Sequence, residues 1–169
     1  MDELKPTHET ATSRVWFLRT ADDSDGEVHE QRVEYLPGSP FPPYHFHPSQ
    51  DERFEVESGG MLFIVDGAEH VLEAGDTLEI EKGTPHKARN PFAESATVRW
   101  ETRPALRTTE FFDMANQLGD EMGPLHGALL AHEYRDVFRP TGALGAVVLP
   151  AAGLARLLGR RLPGANRHG

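Results

Sequence analysis

Between Ser13 and Arg103 turn residues recur so closely that only short extended segments fit between them, and this punctuation constrains the fold more than any other feature of the chain. Arg14 to Arg19 alternates Val15 and Phe17 against Trp16 and Leu18 and reads as a strand. Glu27 to Leu36 is a second, ended by Pro37-Gly38. Arg53 to Glu57 puts Phe54 and Val56 on one face and Arg53, Glu55 and Glu57 on the other. Met61 to Val65 is an apolar run ending in Asp66-Gly67, a dipeptide suited to the positive φ angles of a tight hairpin, so Ala68 to Leu72 should be its partner. Thr77 to Glu81, Pro85 to Arg89 and Thr97 to Glu101 complete the set. Short strands at this spacing, each closed by Gly, Pro or Asp, predict an antiparallel sandwich or barrel.

The pattern changes at Arg103-Pro104. Ala105 to Leu118 and Leu125 to Phe138 carry apolar residues near helical spacing, and Leu154 to Leu158 reads as the start of a third helix. The expected organisation is an N-terminal arm (1–12), a β-barrel (13–103) and a helical C-terminal extension (104–169), within the 169 residues that suit one domain with an appendage. Charge divides along the same line. Of 27 acidic residues 21 precede Thr102, against 9 of the 17 basic ones, and no acid follows Asp136. The net charge of −10 argues against a nucleic-acid surface. The absence of cysteine excludes disulfides, thiolate metal sites and cysteine nucleophiles. An acidic start without an apolar run predicts no secretory signal and a cytoplasmic protein. The apolar stretch Gly142 to Gly159 contains Pro150 and Arg156 and is short for a bilayer span, so it is expected to pack on protein, with interfacial contact as the alternative.

Nine histidines are many for this length, and three of them are placed to act together. In Tyr44-His45-Phe46-His47-Pro48-Ser49-Gln50-Asp51-Glu52, His45 and His47 are two apart and share a strand face, and Glu52 starts the next strand on the face of Phe54 and Val56. His86 follows Gly83-Thr84-Pro85. Three imidazoles with a carboxylate suit one divalent transition metal (Mn, Fe, Co, Ni, Cu or Zn) and not Ca or Mg, which prefer oxygen ligands. The other histidines give no such pattern: His126 and His132 read as surface helix positions, and His8, His29, His70 and His168 have no partner at useful spacing. Gly59-Gly60 and Gly75 read as turn glycines, not as a phosphate loop.

These residues resemble the two motifs of the cupin superfamily, G-x5-H-x-H-x(3,4)-E-x6-G and G-x5-P-x-G-x2-H-x3-N. The first runs here from Gly38 through His45, His47 and Glu52 to Gly59, the second from Gly75 through Gly83 and His86 to Asn90. Gly38 lies one residue further from His45 than the motif states, and Glu81 replaces its proline. The resemblance implies an all-β double-stranded β-helix, or jelly-roll barrel, with His45, His47, Glu52 and His86 as metal ligands and pairing into a homodimer. It further implies a metal-dependent enzyme of the dioxygenase, isomerase or cyclase type acting on a small organic molecule, with Glu52 either a ligand or a general base. A non-catalytic small-molecule-binding cupin is the alternative. A transcription factor is disfavoured by the acidic barrel and the few residues ahead of the first strand. Tyr35, Phe54, Val56, Phe63 and Trp100 are candidate pocket residues, with ordinary core packing the competing role of each.

Overall fold

Alternation of apolar and polar residues produces strands where the sequence places them, and the computed structural model describes residues 5–119 and 122–159 of the chain. The strands are β1 (His8–Glu9), β2 (Ser13–Arg19), β3 (His29–Tyr35), β4 (His45–Phe46), β5 (Asp51–Ser58), β6 (Gly60–Val65), β7 (Ala68–Glu73), β8 (Thr77–Ile80), β9 (His86–Arg89), β10 (Ala96–Arg103) and β11 (Arg139–Pro140). They form two antiparallel sheets, ordered β1-β2-β3-β10-β5-β8 and β11-β4-β9-β6-β7, which is the expected jelly-roll. β1 falls in the segment read as an arm; it pairs with β2, His8 opposite Val15. The β6–β7 hairpin forms as predicted, with Val65 opposite Ala68 and positive φ at both Asp66 (47°) and Gly67 (83°).

The two-residue period sorts side chains between core and solvent. Along β5, Glu52, Phe54 and Val56 are buried, while Arg53 and Glu55 lie on the other face. Phe54 and Val56 join Met61, Phe63, Leu72, Ile80, Ala96 and Val98 in one core between the sheets. Each of these side chains larger than Ala96 contributes about 1.5–3 kcal/mol by leaving water. Where β5 turns into β6, Gly59 has φ +72° and runs so close to β10 that a Cβ there would stand 2.8 Å from the Ala96 Cα.

Beyond β10 come α1 (Thr108–Leu118), α2 (Pro124–Glu133) and α3 (Gly142–Leu157). Two boundaries differ from the sequence reading. α2 stops at Glu133, because residues 134–138 turn to carry Arg139 and Pro140 alongside β4, opposite Phe46 and His45. α3 starts at Gly142, not Leu154. Its internal Gly145, Gly153 and Pro150 obscured it, since all are poor in helix interiors. Leu118, Leu129, Leu130, Tyr134 and Val137 form a second core under the helices, with Phe111, Phe138 and Ala155 packed against it. α1 lies across one end of the barrel, where Phe112 stacks on His29 and meets Trp100 edge-on. Arg107 pairs with Asp136 and donates to the Glu133 carbonyl at 2.8 Å, tying the start of α1 to the end of α2. α3 packs on α2 and leaves Leu154, Leu157 and Leu158 exposed. Among the described residues no helix is long and apolar enough to cross a membrane.

Candidate metal centre

The four predicted ligands converge from both sheets. His45 lies on β4 directly opposite His86 on β9, and Glu52 projects from β5 of the other sheet. His47 sits one residue beyond the end of β4, where its carbonyl accepts a hydrogen bond from the Gly83 amide at 2.8 Å. That bond holds the segment beside the β8–β9 turn and keeps the ring on the face of His45 without a continuing strand. The ligating nitrogens of His45, His47 and His86 lie within 4.8 Å of one another. All four side chains are buried, with 3–7% exposure.

Each imidazole is fixed through its other nitrogen. His45 Nδ1 donates to the Pro43 carbonyl at 2.7 Å, His47 Nδ1 to the Val137 carbonyl at 2.6 Å, and His86 Nδ1 to the Thr84 carbonyl at 2.9 Å. A carbonyl can only accept, so every Nδ1 carries the proton and every Nε2 presents its lone pair inward. Glu52 faces those lone pairs: Oε1 lies 3.2 Å from His47 Nε2 and Oε2 lies 2.9 Å from His86 Nε2. Neither His47 Nε2 nor Glu52 Oε2 has a hydrogen-bond partner, although both are buried. Lone pairs and a carboxylate at such distances repel unless a cation lies among them. The donor set therefore fits a divalent transition metal, held by three neutral imidazoles and one carboxylate.

The electrostatics of Glu52 and His45 agree. Burial pushes Glu52 up, but His47, His86 and His45 outweigh it and hold the carboxyl at about 2. Burial, reinforced by His47 and His86, lowers His45 to about 3, so its ring is neutral and able to ligate. Burial lowers His86 as well, but Glu52 overrides it and raises the ring above its ordinary value. The indole Nε1 of Trp100 donates to Glu52 Oε1 at 2.9 Å and fixes the carboxylate from behind.

A cavity of about 420 Å³ opens from the three imidazoles, within the size range of small-molecule sites. Tyr35, Phe54 and Trp100 line it. Val56 and Phe63 do not: with 0% and 1% exposure they lie in the sealed core, Val56 one pleat further along β5 from Glu52 than Phe54. Much of the wall comes from elements that local spacing could not connect to the site. Phe41 belongs to the proline-rich loop before β4, Phe111 and Phe112 to α1, Leu130 and Ala131 to α2, and Val137 and Phe138 to the turn after it. Phe138 stacks on His45 with centroids 4.4 Å apart, and the Val137 carbonyl fixes His47.

Among the remaining histidines, the sequence reading needs amendment. His29 is fully buried and bonds Thr109 and Gln31, while His8 meets Asp113 at 2.9 Å, both through pairings distant in sequence or hidden on one strand face. His126 and His132 are half-buried, and Gly153 of α3 packs against the His132 ring. His70 is exposed on β7, and His168 lies outside the described residues.

The chain was compared with known proteins on sequence and on fold. The cupin domain family profile matches residues 31–100. None of the proteins of curated function matches in sequence. A predicted oxalate decarboxylase from Thermotoga maritima superposes with a TM-score of 0.54 at 16% identity, covering 60% of this chain and 94% of that one. A putative sugar phosphate isomerase from Acidithiobacillus ferrooxidans gives 0.52 at 17%, covering 60% and 69%. A sugar phosphate isomerase of the cupin superfamily from Silicibacter pomeroyi gives 0.48 at 23% over 54% of this chain, which spans 59% of that protein's length. At these identities the first two superpositions speak to fold alone, and the third carries no argument. With both motifs, the jelly-roll topology and the family match on the same residues, the barrel of this chain belongs to the cupin superfamily.

Proposed function

We propose that this chain is a metal-dependent enzyme acting on a small organic molecule, with a centre of three histidines and one glutamate. The observation that carries this reading is the convergence of three Nε2 atoms, each ring fixed by an Nδ1–carbonyl bond, beside the Glu52 carboxylate, where His47 Nε2 and Glu52 Oε2 are buried without a hydrogen-bond partner. Site geometry this tightly held exceeds what packing alone requires, since it leaves buried polar atoms unsatisfied. His45, His47, Glu52 and His86 would hold one divalent ion of Mn, Fe, Co, Ni, Cu or Zn, which when bound supplies Lewis acidity or activation of dioxygen.

The protein's own residues orient and enclose. Glu52, held at about 2 and braced by Trp100, is ionised at physiological pH and too weak a base to abstract protons efficiently, which favours the role of ligand over that of general base. The aromatic walls exclude water from the reacting centre. A substrate with two adjacent oxygens, such as an enol, diol or keto acid, would complete the coordination, and dioxygenase, isomerase and cyclase chemistry all remain within this reading. A homodimer is proposed with it, as a means of covering the edge strands β7 and β8.

Oxygen consumption and product analysis with metal-loaded protein on diol, diketone and keto-acid panels test the proposal. Turnover that disappears in His47→Ala supports it. Stoichiometric binding of the same compounds without any product would replace it with the non-catalytic binding reading.

A further inference from the structure

The cavity walls are mostly apolar beyond the three imidazoles. Among the described residues, none of the lining side chains is Lys, Arg, Asp, Glu, Asn or Gln. The cavity's hydroxyls belong to Thr12, Ser13, Tyr35, Ser39, Thr102 and Thr108, and some are committed: Ser39 Oγ accepts from the Asn90 amide at 3.0 Å, and Thr108 Oγ1 donates to the Ala105 carbonyl and accepts from Gln50. Apart from the histidines, aromatic and aliphatic side chains supply the rest, with the Phe54 and Trp100 rings 5.1 Å apart and Phe111 stacked on Phe138 at 5.4 Å.

The cations of β9 do not serve the interior. On β9, His86 and Ala88 line the cavity, so the two-residue period sends Lys87 and Arg89 to the opposite face, where both cap the Phe41 ring at 4.4 and 4.7 Å. A phosphate drawn into this cavity would lose its water and find no counter-charge apart from the metal.

We infer that the ligand of this site is a flat, largely apolar molecule that presents two adjacent oxygens and carries no phosphate. This rests on the metal-centre reading above for the oxygen pair, and on the walls alone for the apolar body. The half-buried Tyr35 hydroxyl, for which no hydrogen-bond partner is found among the described residues, is the one phenol available to an edge of such a ligand. The tip of that ligand would face the imidazoles while its rings fill the space between Phe54–Trp100 and the helices.

Calorimetric titration of the full-length, metal-loaded chain tests this with three probes: 2,3-dihydroxynaphthalene, ribose 5-phosphate and oxalate. The naphthalenediol should bind at least tenfold more tightly than either of the others. Chelation of the metal should weaken it without abolishing it. Ala131→Phe, which fills the wall on α2 away from the ligating atoms, should weaken the diol at least tenfold while metal content stays unchanged. If circular dichroism shows that this variant does not fold, Ala88→Leu in the β9 wall provides the same reading. Equal or tighter binding of ribose 5-phosphate or oxalate would overturn the inference, as would full diol affinity in the cavity-filled variant. Diol binding that is lost on cavity filling in a protein containing no metal would uphold the substrate class while refuting the metal reading.

Discussion

Replacing Phe138 by alanine separates two accounts of the C-terminal segment, one in which it merely covers the barrel and one in which it is part of the metal centre. Phe138 stacks on His45 at 4.4 Å and on Phe111 at 5.4 Å, and meets His47 edge-on at 6.5 Å. Aromatic contacts of this kind are each worth about 0.5–1.5 kcal/mol beyond burial. Because the ring is only half-buried, the total cost of Phe138→Ala should be about 2–3 kcal/mol, below the roughly 3–5 kcal/mol of a fully enclosed phenylalanine. The decisive consequence lies next door. Val137 supplies the carbonyl that fixes His47 Nδ1 at 2.6 Å, and without the Phe138 anchor that carbonyl loses its register. Loss of a hydrogen bond that orients a ligand typically weakens metal binding about 10–100-fold. Competition against a chromophoric chelator measures that affinity, with Phe111→Leu as a control that perturbs the helical core without touching a ligand histidine. A tenfold or greater loss in Phe138→Ala and little change in Phe111→Leu are expected. Unchanged metal affinity in a destabilised Phe138→Ala would refute the reasoning.

Other consequences can be measured separately. Trp100→Phe keeps the ring stack on Phe54 but removes the donor to Glu52 Oε1, and should lower metal affinity about tenfold with little loss of stability in urea. The metal-free protein should lose stability between pH 6.5 and pH 4.5. His45 sits at about 3 when folded and near 6.5 when unfolded, so the unfolded chain gains a proton in this window that the folded one refuses. Buried His29, also lowered by its burial, acts in the same direction. The raised His86 contributes fully below 6.5 and Glu52 fully above 4.5, so neither changes much within it. His45 alone accounts for up to about 2.5 kcal/mol, read from urea midpoints in chelator. Gly59→Ala should cost at least about 2 kcal/mol by thermal melting, because the new Cβ meets both a positive φ and the β10 backbone. An unchanged melting temperature would show that the β5–β6 turn can open at little cost.

The barrel was legible because strand alternation is a local signal: Phe54 and Val56 on one face, Asp66-Gly67 at the hairpin, Pro37-Gly38 at the end of β3. The ligands were legible because three of the four cluster within eight residues of chain and His86 follows a turn signal. What the sequence hid was long-range. Nothing in the spacing of Val137 and Phe138 reveals that they reach His47 and His45, some ninety residues earlier in the chain. Residues 134–138 share apolar character with the helix before them, so they read as its continuation; the turn appears only once Arg107 pairs with Asp136 and β11 joins β4. Val56 and Phe63 share a face with true wall residues, and period-two reasoning cannot say how deep along a strand the cavity ends. Glu52's tie to Trp100 needed the pairing of β5 with β10, which sets Trp100 opposite Phe54.

The most direct test of the central claim is elemental analysis of protein purified without a histidine tag, in the wild type and in His47→Ala and His86→Ala. One transition metal per chain in the wild type, falling to a small fraction in both variants, is the predicted result. Metal far below one per chain in the wild type and unchanged by either substitution would contradict it.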